Sequence, residues 1–288
     1  LDTIDFVEIS TTGNAVDFGD STLARTQSGG TCSSTRGVLA GGYTDAESDV
    51  IDYITIASKG DGADFGDLSS GTQHPGCASS LTRGVISSVG TGNVTIEYIT
   101  IASTGDAADF GDLNFAPSQG SGCSNGHGGL AVFDPVPRFK YIPGSGRGFC
   151  MGGVSPTRIN VIQFTHIPTL ANFADFGDLT AVTSNAHPIS SLTRGVAAGG
   201  QTPGITDTIQ SFEMQSLGNA SDFGNLSVGR TDMGKGCMGS PTRGLASGGI
   251  TPSGSDVVDY ITIATVGNAT DFGDLSANRY AHAALSSS

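Results

Sequence analysis

The four letters Asp-Phe-Gly-Asp constrain this chain more than anything else in it. They stand at Asp17, Asp64, Asp109, Asp175 and Asp271, and a sixth copy at Asp222 reads Asp-Phe-Gly-Asn. Successive copies begin 47, 45, 66, 47 and 49 residues apart, so 288 residues read as an array of one unit with a period in the forties. The rest of the unit returns as well. A small-residue segment leads to Thr-Arg-Gly, aliphatic residues and a double glycine, then a polar turn and an aromatic run such as VIDYITIAS. The Thr-Arg-Gly arginines are Arg36, Arg83, Arg194 and Arg243, with the variant GRGFCMGG around Arg147. The aromatic run centres on Tyr53, Tyr98 and Tyr260, with looser versions at Phe6, Phe164 and Phe212.

Each unit reads as four short strands. The β-branched and aromatic run suits a strand rather than a helix. Its apolar side chains fall on both faces, as expected of a sheet sandwiched between two others. Between that run and the Asp-Phe-Gly stand Gly13-Asn14, Gly60-Asp61, Gly105-Asp106, Gly218-Asn219 and Gly267-Asn268. That dipeptide is a tight hairpin signal, because both residues tolerate positive φ. The fourth copy has Ala171-Asn172 there, so its turn is expected to differ. Four strands per unit of about 47 residues is the arithmetic of a propeller blade. A linear β-solenoid has shorter coils and lacks the hairpin chemistry. The expected fold is all-β: one domain over residues 1–288, a single six-bladed β-propeller of four-stranded blades, closed by N- and C-terminal strands.

Composition agrees and removes several functions. The 44 glycines disfavour helices, and 37% hydrophobic residues are too many for disorder. A net charge of −14 repels nucleic-acid phosphates and anionic membrane surfaces alike. No apolar run approaches the roughly 20 residues that span a bilayer. Neither nucleic acid nor membrane insertion is therefore expected. Five cysteines are an odd number, which excludes a complete disulfide framework within one chain. They read as small buried residues.

The repeat resembles the kelch family of propellers, which includes galactose oxidase. Gly41-Gly42, Gly199-Gly200 and Gly248-Gly249 match the kelch double glycine. Tyr53, Tyr98 and Tyr260 match its aromatic strand, and NRYAH at Asn278 to His282 its arginine and histidine, while Phe replaces its Trp in every copy. The wording YITIASTGDAADFGDL followed by TRGV and a double glycine is similar to repeat proteins of marine phages, especially those infecting cyanobacteria. That resemblance implies a non-enzymatic structural or interaction protein, virion- or tail-associated. Its implied partners are other virion or surface proteins, with host attachment and a host-surface glycan as a further candidate, and its location the virion or the extracellular space. The alternative is a secreted sugar-binding propeller or adhesin of a bacterium. The copper ligands of galactose oxidase-like chemistry are not reproduced, and the arginines recur too regularly for a single sialidase-type triad.

Asp-Phe-Gly is also a kinase signature, yet no His-Arg-Asp loop, strand lysine or phosphate loop accompanies it. An architectural role is expected instead. Phe18, Phe65, Phe110, Phe176, Phe223 and Phe272 would wedge between blades. The motif aspartates would clasp Arg36, Arg83, Arg194 and Arg243. Calcium is the other use for such acidic loops, but their oxygen spacing is too sparse for it. His74, His187 and His282 recur in alternate units and could ring the axis; polar lining is the expected reading, and no metal or cofactor is assigned. The one break in the rhythm is an insertion at about 126–146, HGGLAVFDPVPRFKYIPGSG with its neighbours. There Phe133, Arg138, Phe139, Lys140 and Tyr141 make an aromatic-basic binding candidate.

The seam carries a last expectation. Nineteen residues past a motif Asp stand Arg36, Arg83 and Arg194, and nineteen past Asp271 lies position 290, beyond Ser288. The six-unit ring therefore lacks one Thr-Arg-Gly strand, and the natural chain is expected to extend past an end of this sequence.

Overall fold

A computed structural model of the chain describes residues 2–88, 93–115, 119, 121–124, 146–169, 171–236 and 238–286, and among these there is no helix. The repeat folds into four-stranded antiparallel meanders. Blade 1 pairs Gly29–Cys32, Arg36–Ala40, Ser48–Thr55 and Ala63–Thr72 in that order. Blade 2 pairs Gly76–Ser79, Arg83–Ser87, Thr95–Thr100 and Ala108–Asp112. Blade 3 pairs Ser121–Ser124, Arg147–Met151, Val161–His166 and Ala174–Asp178. Blade 4 pairs His187–Ser190, Arg194–Ala198, Thr208–Glu213 and Ser221–Asn225. Blade 5 is built from Arg243–Ser247, Ser253–Thr262 and Thr270–Arg279, with the short Ile250–Thr251 on its long middle strand. The inner strands are wholly buried and made of small residues, because they crowd together around the axis.

The architecture is a β-propeller, but it has five four-stranded blades where six were expected. At the sixth position Thr3–Phe6 and Val16–Asp20 form a two-stranded sheet, the outer half of a blade. The innermost place is filled by residues 281–286, held by neighbouring inner segments: Ala284 N–H donates to the Lys235 carbonyl at 3.0 Å and Cys32 Sγ to the Ser286 carbonyl at 2.8 Å. The strand that links these two parts in the other blades begins with the Thr-Arg-Gly arginine, and among the described residues no segment supplies it here. The ring is closed at its axis and its rim, and open between them.

The repeated motif explains the rim. Each copy carries a β-bulge, where register shifts at the Phe-Gly step. Gly66 has φ +143°, and a Cβ there would lie 2.5 Å from the Gly105 carbonyl carbon of blade 2, so only glycine lets the blades meet. The following residue then donates its N–H across the joint: Asp20 to Asp61 Oδ1 at 3.1 Å, Asp67 to Asp106 at 3.1 Å and Asp112 to Asn172 at 3.0 Å. Asp178 donates to Asn219 at 3.0 Å, Asn225 to Asn268 at 3.1 Å and Asp274 to Asn14 at 3.2 Å, completing six joints. The Gly-Asn dipeptide is thus no two-residue hairpin. In blade 1 it lies inside a longer connection, residues 56–62, between the third and outer strands. Its side-chain oxygen is the working part, which is why Ala171-Asn172 serves equally well.

The motif phenylalanines sit where neighbouring blades pack. Phe65 lies with Val38 and Ile51 of blade 1 and Ile86 and Ile99 of blade 2. Phe110, Phe176 and Phe223 occupy the next three joints, and Phe272 packs toward Val7 and Ile9 of the N-terminal pair. Each such burial contributes on the order of 2 kcal/mol. Phe18, packed edge-on to Phe6 at 6.0 Å, faces the open sixth position.

Candidate functional site

The Thr-Arg-Gly arginines bridge blades, though not as the clasp that was expected. Arg36 lies 4.5 Å from the Tyr53 ring centre and donates from Nη1 to the Ile101 carbonyl of blade 2 at 3.1 Å. Arg83 uses Tyr98 (4.4 Å) and Ile167 (3.1 Å), Arg147 uses Phe164 (4.8 Å) and Met214 (2.7 Å), and Arg243 uses Tyr260 (4.8 Å) and Ile9 (3.2 Å). Arg194 reaches the Ile263 carbonyl at 2.9 Å, but Ser211 stands at its aromatic position, with Phe212 one residue out of register. It lies instead 5.9 Å from the Phe223 ring centre and pairs with Glu213 at 3.1 Å. The acceptor of the clasp is therefore a carbonyl, and the first aspartate of each motif stays exposed. The physical reason is topological: the third strand runs between the arginine and the outer strand that carries the motif.

Three ion pairs escaped the sequence reading, two of them buried and the third, Arg279 with Asp5, half-buried. Arg25 meets Asp52 at 2.8 Å, Arg230 meets Asp259 at 2.6 Å and Arg279 meets Asp5 at 3.0 Å. Burial lowers the pKa of Arg25 and of Arg230, and the facing carboxylate opposes that shift. The signal was present: in three copies an arginine stands eight residues after the motif Asp. In the other joints the carboxylate position holds Glu97, Gln163 or Gln210, which accept the N–H of Ser69 (2.9 Å), Asn114 (3.1 Å) and Thr180 (2.7 Å).

At the axis each unit places one left-handed residue, Gln27, His74, Gln119, Asn185, Asp232 and Ala281, with φ from 48° to 62°. Backbone bonds chain them, His74 N–H to the Gln27 carbonyl at 2.8 Å, Asn185 to Gln119 at 3.1 Å and Ala281 to Asp232 at 2.6 Å. Behind this ring lies Lys235, wholly buried, with Nζ 3.3 Å from Asn185 Oδ1; its burial lowers its pKa to about 8. His187 contacts the Gly234 and Leu245 carbonyls at 2.6 and 2.7 Å, and His282 Nε2 meets Ser247 Oγ at 3.0 Å. Burial pushes His74 and His187 down to about 4 and His282 to about 3, with Lys235 adding to each shift. Each histidine belongs to its own joint. Among the described residues no three His, Cys, Asp or Glu side chains are grouped to hold a metal ion.

The sixth position itself is a cleft of about 800 Å³. Phe6, Glu8 and Phe18 line one side, Leu285 and Ser286 the other, and Leu39 and Ile56 of blade 1 its far wall. Phe6 is 37% exposed there.

One face of the ring differs in kind. The hairpins from inner to second strand, residues 33–35, 80–82, 191–193 and 240–242, all rise from it, and the third-to-outer connections rise from the same side of the meander. In blade 3 residues 125–146 replace that three-residue hairpin; Phe133, Arg138, Phe139, Lys140 and Tyr141 lie outside the described residues. The three most exposed large apolar side chains described, Leu81, Leu217 and Val266 at 61%, 64% and 66%, belong to these connections. No protein-family model and no curated protein matches the chain.

Proposed function

We propose that the protein is a non-enzymatic interaction propeller that docks a partner protein with the face bearing residues 125–146, as a virion- or tail-associated component of a phage. The observation that carries this reading is the position of Leu81, Leu217 and Val266. Exposed apolar side chains on the connections of one face, in blades 2, 4 and 5, give a partner apolar anchors on that face. The kelch-like repeat and its likeness in wording to marine-phage repeats support the same assignment. Elsewhere the recurring arginines are committed to joints between blades, so the loops on this scaffold are the natural carriers of recognition. The test is quantitative mass spectrometry of purified virions together with a Leu81→Ser, Leu217→Ser, Val266→Ser variant. Stoichiometric copies in the particle, lost in the variant at unchanged Tm, are expected. Absence from particles with specific binding on a glycan array would replace this reading with the adhesin.

A further inference from the structure

We propose that the cleft at the sixth position is a strand-acceptor site. Its occupant is an extended segment of the type Thr-Arg-Gly-aliphatic-x-Ala-Gly-Gly, carried by the same polypeptide. The demand for that strand comes from inside the ring.

Register defines the slot on both flanks. Phe6 pairs with Val16 as Tyr53 pairs with Ala63, so Phe6 stands at the Tyr53 place and Glu8 at that of Thr55. In blade 1 those two places lie opposite Val38 and Arg36 of the second strand. On the other flank Ala283 to Ser286 follow Asp271 at the spacing by which Gly29 to Cys32 follow Asp17. A strand between them would set its arginine against Glu8 and its first aliphatic residue against Phe6.

The groups that receive this arginine in other blades are already in place. Every other Thr-Arg-Gly arginine, and Arg147, donates to one carbonyl of the following blade. Ile101, Ile263 and Met214 offer that carbonyl, and each anchors its own N–H on the residue before the next arginine: Ile101 on Thr82 at 2.9 Å, for example. Ile56 is anchored likewise on Thr35 at 3.0 Å, and it lines the cleft. Phe6 offers the ring face and Glu8 a carboxylate, as Glu213 does for Arg194. Over the Phe6 ring, 4.7 Å from its centre, lies Lys59 Nζ, a cation where the other aromatics hold their arginine.

The order of the other blades points to the source, since in blades 1 to 4 the second strand follows the inner strand along the same chain. Ser33, Ser80 and Ser191, sixteen residues after their motif Asp, each accept the arginine N–H on Oγ, at 3.2, 3.1 and 3.1 Å.

The test appends Thr-Arg-Gly-Val-Leu-Ala-Gly-Gly, the sequence of residues 35–42, after Ser288, beside a scrambled extension and one with alanine for the arginine. Thermal unfolding and binding of an apolar dye are read on all of them and on the 288-residue chain. The native-type extension should raise Tm by about 5 °C or more and abolish dye binding. The alanine extension should recover about half the gain, and Phe6→Ala in the extended chain should halve it likewise. Equal behaviour of native-type and scrambled extensions overturns the proposal. So does a synthetic peptide that binds in trans while the extension has no effect, which would place the strand on another chain. A 288-residue chain that is dimeric by light scattering and binds no dye would assign the cleft to a second copy.

Discussion

The six joints of this ring divide into two halves that solve one problem differently. Where blade 4 meets blade 5, blade 5 meets the N-terminal pair and that pair meets blade 1, an arginine meets an aspartate, buried in the first and last of these joints and half-buried in the second. In the opposite half Glu97, Gln163 and Gln210 take the aspartate's place and cap a backbone N–H without any arginine. The half with the ion pairs is also the half with the open cleft. Buried pairs add little net stability, because desolvation consumes most of their attraction, but they punish any wrong register. Two strands at the sixth position cannot hold their register by a four-stranded ladder. Charge does it for them.

Acid should separate the halves most strongly. His74, His187 and His282 are neutral in the fold with pKa values of about 4, 4 and 3, against an ordinary 6.5. Above pH 6.5 neither state binds the extra proton. As pH falls from 6.5 toward 4, the unfolded chain takes up protons that the fold refuses, so stability drops through that window. The loss is on the order of 2–3 kcal/mol per ring by pH 4. Asp232, raised by burial, opposes it. His187, His282 and Lys235 belong to the half with the cleft, so hydrogen exchange across this pH range should quicken there first, and uniform exchange would break the comparison.

Breaking one pair is the next largest effect. Arg230→Met strands Asp259, whose side chain is wholly buried, and should cost about 3–5 kcal/mol. Adding Asp259→Leu should restore most of that loss, because the isolated charge, not the missing attraction, does the damage. Gln210→Met in the other half leaves the neutral N–H and hydroxyl of Thr180 unmet and strands no charge, and should cost about 1–2 kcal/mol. Urea unfolding of the three variants measures both differences. If Gln210→Met matches Arg230→Met, the two halves are not distinct.

Much of this ring was legible as text, and the rest was hidden for physical reasons. Period and strand type follow from spacing and β-branched residues, which local chemistry dictates. The number of complete blades does not, because closure depends on which strands meet across 260 positions, as Asp274 and Asn14 do. Gly60-Asp61 read as a hairpin because turn chemistry is local, whereas its use is a bond to the neighbouring blade. Asp64 and Arg83 looked like partners from regular spacing alone, but Asp64 stays exposed on the outer strand of its blade while Arg83 stands on the second strand of the next. Arg25, Arg230 and Arg279 recur in only three copies, so a search for what all units share passes over them.

A rim joint common to both halves calibrates the comparison. Gly66→Ala puts a methyl against the Gly105 backbone and forces φ +143° on a residue with a Cβ. A cost of about 2–3 kcal/mol is expected by thermal unfolding. Gly273→Ala, facing Gly13 across the seam, should cost less, because the two-stranded sheet beside the cleft can shift where blade 2 cannot. Equal costs would mean that the N-terminal pair is as firmly seated as a full blade.

The smallest effects belong to the bridging arginines. Arg83→Met forfeits one ring contact and one carbonyl bond, about 1–2 kcal/mol, and unchanged stability would remove the arginine from the joint. Arg194→Met should cost less than Arg83→Met, since its ion pair is to an exposed Glu213 and its aromatic is replaced by Ser211. Restoring the repeat with Ser211→Tyr gives the sharper result. The new ring would lie where Tyr53 lies under Arg36, and a gain of about 0.5–1 kcal/mol is expected only while Arg194 is present. A double-mutant cycle over Arg194 and residue 211 isolates that coupling. If the cycle closes with no coupling, residue 211 adds nothing to the joint beyond what Arg194 already makes with Ile263 and Glu213.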